Sequence, residues 1–91
     1  MPRIARRVRV TGTVQGVLFR AWTQEQARSL GVTGWVRNAS DGSVKAHVEG
    51  DDEAVGQLID RMHDGPTGAT VEDVEVKESV VERLERFEVR H

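Results

Sequence analysis

Cysteine is absent from the 91 residues, so thiol nucleophiles, disulfide staples, iron–sulfur clusters and thiolate zinc sites are excluded by inventory. Any chemistry must come from oxygen, nitrogen or the backbone. No apolar run approaches the roughly 18 residues that a membrane-spanning helix needs, and the N-terminus carries no signal-peptide pattern. A cytoplasmic protein that meets no membrane is expected. Histidine is sparse: His47, His63 and His91 are scattered, without the spacing of a metal site or a catalytic triad. They read as surface or local structural residues, and neither a metal nor a cofactor is expected. The length suits one domain over 1–91 with a modest two-layer core, and a monomer.

Charge is nearly balanced at −2 but unevenly spread. Arg3, Arg6, Arg7, Arg9 and Arg20 all precede the first acid, Glu25, whereas twelve of the fifteen acids lie from Asp51 onward. An acidic second half disfavours wrapping by a nucleic-acid backbone, so a small anion near the N-terminal segment is the better partner. Arg3, Arg6, Arg7 and Arg9 themselves read as a solvated strand face.

Ile4, Val8 and Val10 alternate with Arg7, Arg9 and Thr11, the period of a half-buried strand over 4–13. From Phe19 the apolar positions Phe19, Trp22, Ala27 and Leu30 form a helical stripe, which Gly31 ends. Val32, Trp35 and Val36 make a second strand, and Val44, Ala46 and Val48, alternating with Lys45, His47 and Glu49, a third. Ala39-Ser40-Asp41-Gly42 between them is turn chemistry. Acids at Asp51, Asp52 and Glu53 suit a helix N-terminus, and Val55, Leu58, Ile59 and Met62 follow at helical spacing before Gly65-Pro66. Val74 and Val76 predict a fourth strand, Phe87 and Val89 a short fifth. The order β-α-β-β-α-β predicts an α+β, ferredoxin-like two-layer sandwich, an antiparallel sheet with two helices on one face. Trp22 and Trp35 are expected in the core.

The chemistry lies between the first strand and the first helix, in Gly12-Thr13-Val14-Gln15-Gly16-Val17-Leu18-Phe19-Arg20. Such a junction delivers successive backbone N–H groups to the positive end of a helix, an anion nest. It lacks the Gly-Lys-Ser/Thr ending of a nucleotide-binding P-loop and suits one phosphoryl group. Arg20 adds a permanently charged planar fork that can grip two phosphate oxygens, which lysine cannot. A cation at a helix start opposes the helix dipole and calls for an anionic partner.

This loop closely resembles the first signature of the acylphosphatase family: glycine, any residue, Val-Gln-Gly-Val, a variable residue, Phe-Arg. A second signature is matched by Gly34-Trp35-Val36-Arg37-Asn38, then Gly42, Val44 and Gly50 at the family spacing. The resemblance implies hydrolysis of the carboxyl–phosphate bond of a small acyl phosphate. It implies that Arg20 and the amides of Gln15, Gly16, Val17, Leu18, Phe19 and Arg20 bind the phosphate, and that the side-chain amide of Asn38 holds the attacking water. Inorganic phosphate or sulfate would then inhibit. Three positions depart from the common pattern: Leu18 at the variable site, Ala39 where many relatives have a hydroxyl, and His91 where a terminal tyrosine is common.

Two rival readings use the same elements. A phosphate-binding module without turnover would keep the cradle, but simple anion binding does not require Asn38. An RNA-recognition domain shares the element order, but the aromatics its sheet would need are missing.

Overall fold

The computed structural model describes residues 2–91. Strand β1 (Arg3–Thr13) leads through the loop into helix α1 (Phe19–Leu30). Strands β2 (Thr33–Asn38) and β3 (Val44–Asp51) form a hairpin, followed by helix α2 (Asp52–Asp64) and strands β4 (Thr70–Ser79) and β5 (Phe87–Arg90). The expected α+β sandwich is present. Its sheet runs β4-β1-β3-β2-β5 and is antiparallel except at one edge, where the short β5 pairs parallel to β2. That pairing follows from the connection: the chain leaves β4 at one edge of the sheet and must cross its whole width before it can join the other.

Register decides which side chains meet the helices. Val8 and Val10 of β1 lie opposite Ala46 and Val44 of β3, and Val36 of β2 lies opposite Ala46. These valines and alanines are buried beneath Phe19 and Ala27 of α1 and Val55, Leu58 and Met62 of α2. Burial of each larger side chain contributes about 1.5–3 kcal/mol, so this layer supplies the main driving force for folding. Gly31 closes α1 in a left-handed conformation, and the Val32 amide bonds the Ala27 carbonyl at 2.9 Å. Gly34 sits where β2 and β3 touch. A Cβ there would lie 1.8 Å from the His47 carbonyl oxygen, so only glycine permits this pairing.

The opposite face of the sheet is not uniformly wet. Lys45 is half-buried as strand alternation suggests, but His47 and Glu49, its neighbours on that face, are both completely buried. The segment crossing from β4 to β5 covers them. Glu49 accepts hydrogen bonds from the amides of Glu82 at 2.6 Å and Leu84 at 2.9 Å, and its Oε2 is 2.7 Å from His47 Nε2. Arg7 Nε donates to His47 Nδ1 at 2.9 Å. Nδ1 is therefore the acceptor and Nε2 carries the proton given to Glu49. Burial pushes the Glu49 carboxyl pKa up, but the Glu82 amide, His47 and the Leu84 amide outweigh it and hold the group ionised below its usual value. Trp35 is buried as expected, at 7% exposure, but on this outer face, stacked on His47 rather than under the helices. Trp22 packs partly buried against the helix-side core.

At the β2–β3 turn, Asp41 accepts hydrogen bonds from Ser43 Oγ at 2.6 Å and the Ser43 amide at 3.0 Å, and pairs with Arg9 at 2.6 Å. Ser43 and Arg9 hold its carboxyl well below the ordinary carboxylate range.

Glu49→Ala is expected to cost on the order of 3 kcal/mol, because two part-buried backbone amides and a buried imidazole lose their acceptor. Thermal unfolding should then fall by roughly 10–20 °C for a chain of this size, and a shift of only a few degrees would show that the segment is held by other contacts. For Asp41 the lowered folded-state pKa fixes the sign. Its contribution is complete above the unfolded pKa of about 4 and is lost as pH falls below it. Asp41→Asn should therefore melt below the wild type near pH 7, and the gap should begin to narrow as pH falls below about 5 and go on narrowing toward the low folded-state pKa; a constant gap would contradict the assignment.

Candidate active site

The loop from Thr13 to Phe19 reverses direction through two left-handed residues, Gly16 at φ 75° and Leu18 at φ 61°. Glycine takes this conformation freely, but for leucine it costs about 1 kcal/mol. Leu18 nevertheless adopts it at the residue preceding α1, with its side chain 80% exposed. Strain of this kind persists where surrounding structure over-determines the backbone, and it concentrates at binding loops. Here it leaves a row of donors open. Among the described residues, the backbone amides of Gln15, Gly16, Val17, Leu18, Phe19 and Arg20 find no acceptor, and the first amide of α1 to find one is Trp22, bonded to the Leu18 carbonyl at 3.0 Å. These donors coincide with the positive end of the α1 dipole, where an anion is favoured.

A cavity of about 230 Å³ opens beside this loop, lined by Gly16, Leu18, Phe19 and Arg20 on one side and by Asn38 and Val89 on the other. Arg20 and Asn38, 18 positions apart in sequence, thus border the same space. Gln15 and Val17 do not line it: Val17 packs against the core, and Gln15 has another task. Its side-chain amide Nε2 donates to the carbonyls of Ala39 at 2.7 Å and Ser43 at 2.9 Å. Those two residues close the hairpin turn, since the Ala39 amide bonds the Ser43 carbonyl at 2.8 Å. One glutamine therefore ties the loop to the turn that follows Asn38.

Asn38 is the last residue of β2, paired with Val44, and its half-buried side-chain amide forms no hydrogen bond among the described residues. No contact from Ser40 replaces the hydroxyl that Ala39 lacks. Arg20 is also half-buried. Its NH1 donates to the Arg90 carbonyl at 2.9 Å and lies 3.1 Å from His91 Nδ1. The C-terminal strand thus holds one prong of the guanidinium and leaves the other donors free. Arginine at this site can be clamped and still bind an anion, because its fork has five N–H groups.

Sequence reasoning identified Arg20, Asn38 and the loop, but not the Gln15 bridge or the clamp by residues 90 and 91. The glutamine stood inside the quoted loop motif, where its side chain could have been suspected. The clamp acts through a backbone carbonyl and had no residue signature.

The Acylphosphatase family model matches residues 6–89. An acylphosphatase of Rhizobium etli is 51% identical over 80 residues, covering 88% of this chain and 85% of that protein. The solved acylphosphatase structure from Coxiella burnetii superposes with a TM-score of 0.93 at 38% identity, covering 97% of this chain and 93% of that one. That from Bacillus subtilis gives 0.94 at 34% identity, with 97% and 99% covered. A loop of unpartnered amides, an arginine clamped beside it and an asparagine across a shared cavity thus coincide with likeness along nearly the whole chain, and this protein belongs to the acylphosphatase family.

Proposed function

We propose that this protein hydrolyses acyl phosphates to a carboxylate and inorganic phosphate, as a cytoplasmic monomer without metal or cofactor. The observation that carries the reading is the common cavity of Arg20, Asn38 and the open loop amides. The free guanidinium donors of Arg20 and the amides of Gly16, Leu18, Phe19 and Arg20, which line the cavity, hold the phosphoryl oxygens. Gln15 acts through its side chain as a strut that keeps the loop and the Asn38 hairpin in register. Because the Asn38 amide is unengaged, its oxygen can accept a hydrogen bond from a water and aim that water at phosphorus.

The bond to be broken makes few demands. An acyl phosphate is a mixed anhydride whose leaving group has a conjugate-acid pKa near ~4, so the carboxylate departs with its electron pair and needs no general acid. Water oxygen bonds to phosphorus, the phosphorus–acyl oxygen bond breaks, and the water's proton passes to the phosphate product or to solvent. Phosphoryl transfer runs through a loose transition state with charge spread over the equatorial oxygens. Aligned donors and a positioned nucleophile therefore supply most of the catalysis. A module that only bound anions would have no use for the free Asn38 amide.

The division of labour between the two side chains is testable. Asn38→Ala is expected to lower kcat and kcat/KM together, by on the order of 10²- to 10³-fold, while the inhibition constant of inorganic phosphate stays near the wild-type value. A folded variant, with unchanged circular dichroism and melting temperature, that turned over at the wild-type rate would remove Asn38 from the mechanism. Arg20→Lys should instead weaken phosphate inhibition by roughly tenfold or more, with kcat/KM falling too, since a point charge cannot reproduce a two-pronged grip. Undiminished phosphate affinity in that variant would mean that the anion is held elsewhere.

A further inference from the structure

The face of the sheet turned away from the helices carries a second cavity, of about 260 Å³. Five of its lining side chains are cations: Arg7 and Arg9 from β1, Arg37 from β2, Lys45 from β3 and Lys77 from β4. Glu75 is the sole carboxylate among the lining residues. The register sets like charges against each other. Lys45 lies directly opposite both Arg9 and Arg37, and Arg7 lies opposite Lys77. Like charges at opposed positions of neighbouring strands destabilise a sheet, so three such pairs around one hollow are a concentration of unfavourable charge that a bound anion would relieve.

Acids in and around the hollow neutralise only part of this charge. Arg9 pairs with Asp41 at 2.6 Å and Glu75 at 3.9 Å, and Arg7 with Glu82 at 3.4 Å. Among the described residues, Arg37, Lys45 and Lys77 have no carboxylate within ion-pairing distance. The floor is firm. Trp35 is buried and stacked on His47, and the guanidinium carbons of Arg7 and Arg37 sit 5.0 Å and 5.8 Å from its ring centre. Cation–π contact holds these guanidiniums against the indole, so their charge is organised before a ligand arrives. Their coverage of the ring leaves little aromatic face for a base to stack on.

We propose that this cavity binds a short chain of linked phosphates, the group shared by pyrophosphate, tripolyphosphate and nucleoside triphosphates. Several closely spaced negative charges match five cations around one small hollow, and the volume is that of a few phosphate groups rather than a polymer track. Carboxylates paired with its arginines mark its margins on separate elements: Asp41 in the hairpin, Glu75 on β4 and Glu82 in the crossing segment. An extended nucleic-acid strand would have to cross that margin, whereas a short chain fits inside it. The site is distinct from the cavity of Arg20 and Asn38. Asn38 pairs with the core residue Val44, while Arg37, beside it in the chain, faces the other side of the sheet with Lys45.

Isothermal titration of tripolyphosphate into Arg20→Gln protein, in which the first anion site is disabled, tests the proposal. One tripolyphosphate per chain should bind at about 50 mM salt and weaken steeply by about 0.3 M. On the same background Lys45→Gln/Lys77→Gln should weaken binding by at least about tenfold, and Glu75→Gln should tighten it several-fold. Because the lysine substitutions remove opposed like charges, the double variant should melt at or above its parent's temperature in low salt, which separates lost binding from lost folding. In the otherwise wild-type chain the same double variant should leave kcat and phosphate inhibition unchanged. ATP titrated in parallel should bind about as tightly as tripolyphosphate if the phosphate chain alone is read. The proposal is overturned if Arg20→Gln protein binds no tripolyphosphate, if the lysine substitutions leave binding intact, if ATP binds and tripolyphosphate does not, or if single-stranded RNA binds more tightly than either.

Discussion

Six consecutive amides, from Gln15 to Arg20, find no acceptor among the described residues, and much of the surrounding architecture exists to keep them so. Open donors are unfavourable unless they face solvent or a ligand, and a flexible loop would readily collapse to satisfy them from its own carbonyls. Two left-handed residues, one of them the strained Leu18, prevent that collapse. Helix α1 anchors the far end through Phe19, buried in the core beside Val14. The near end is anchored by β1, an interior strand paired with β4 on one side and β3 on the other. The loop is rigid because both its roots are buried.

The same logic extends outward in layers. Gln15 fastens the loop to the hairpin turn, the turn is closed by the Ala39–Ser43 bond, and Asp41 braces it through Ser43 and Arg9. Apart from the Gln15 and Arg9 side chains, these links are backbone bonds or the short side chains of Asp41 and Ser43, and together they restrain the backbone that carries Asn38. For a reaction whose catalysis comes from alignment, this rigidity is itself part of the mechanism, because a nucleophile displaced by an ångström loses much of its advantage.

Periodicity made the elements legible in the sequence. Alternating valines in β1 and β3 and the helical stripes Phe19–Leu30 and Val55–Met62 all correspond to observed structure, because each element buries one regular face. Gly31 and Gly42 marked a helix end and a turn because both take a left-handed backbone that glycine adopts freely. What the pattern concealed were effects that depend on chain crossings. His47 and Glu49 occupy strand positions that alternate toward solvent, yet the segment from Val80 to Arg86 crosses over them and satisfies the carboxylate with backbone amides. The parallel pairing of β5 follows from that crossing. Of the site, Arg20 and Asn38 could be read because motifs carry side-chain identity. The Arg90 carbonyl beside Arg20 could not, since a carbonyl is common to every residue and only the fold selects one.

That carbonyl joins the two faces of the sheet. Glu49 holds the crossing segment by the amides of Glu82 and Leu84, and two residues further on the Arg86 carbonyl accepts the Gly34 amide at 3.0 Å, at the point where β5 begins to pair with β2. Strand β5 then runs to Arg90, whose carbonyl positions the guanidinium of Arg20. A four-residue edge strand has few hydrogen bonds of its own, so its placement depends on how firmly the preceding segment is tied. The buried His47–Glu49 pair is costly to desolvate and adds nothing to the apolar core. Its position is explained by what it holds: with no cysteine available for a staple, an ionised carboxylate receiving two backbone amides and one imidazole fixes an otherwise irregular connection, and through it the strand that steadies Arg20.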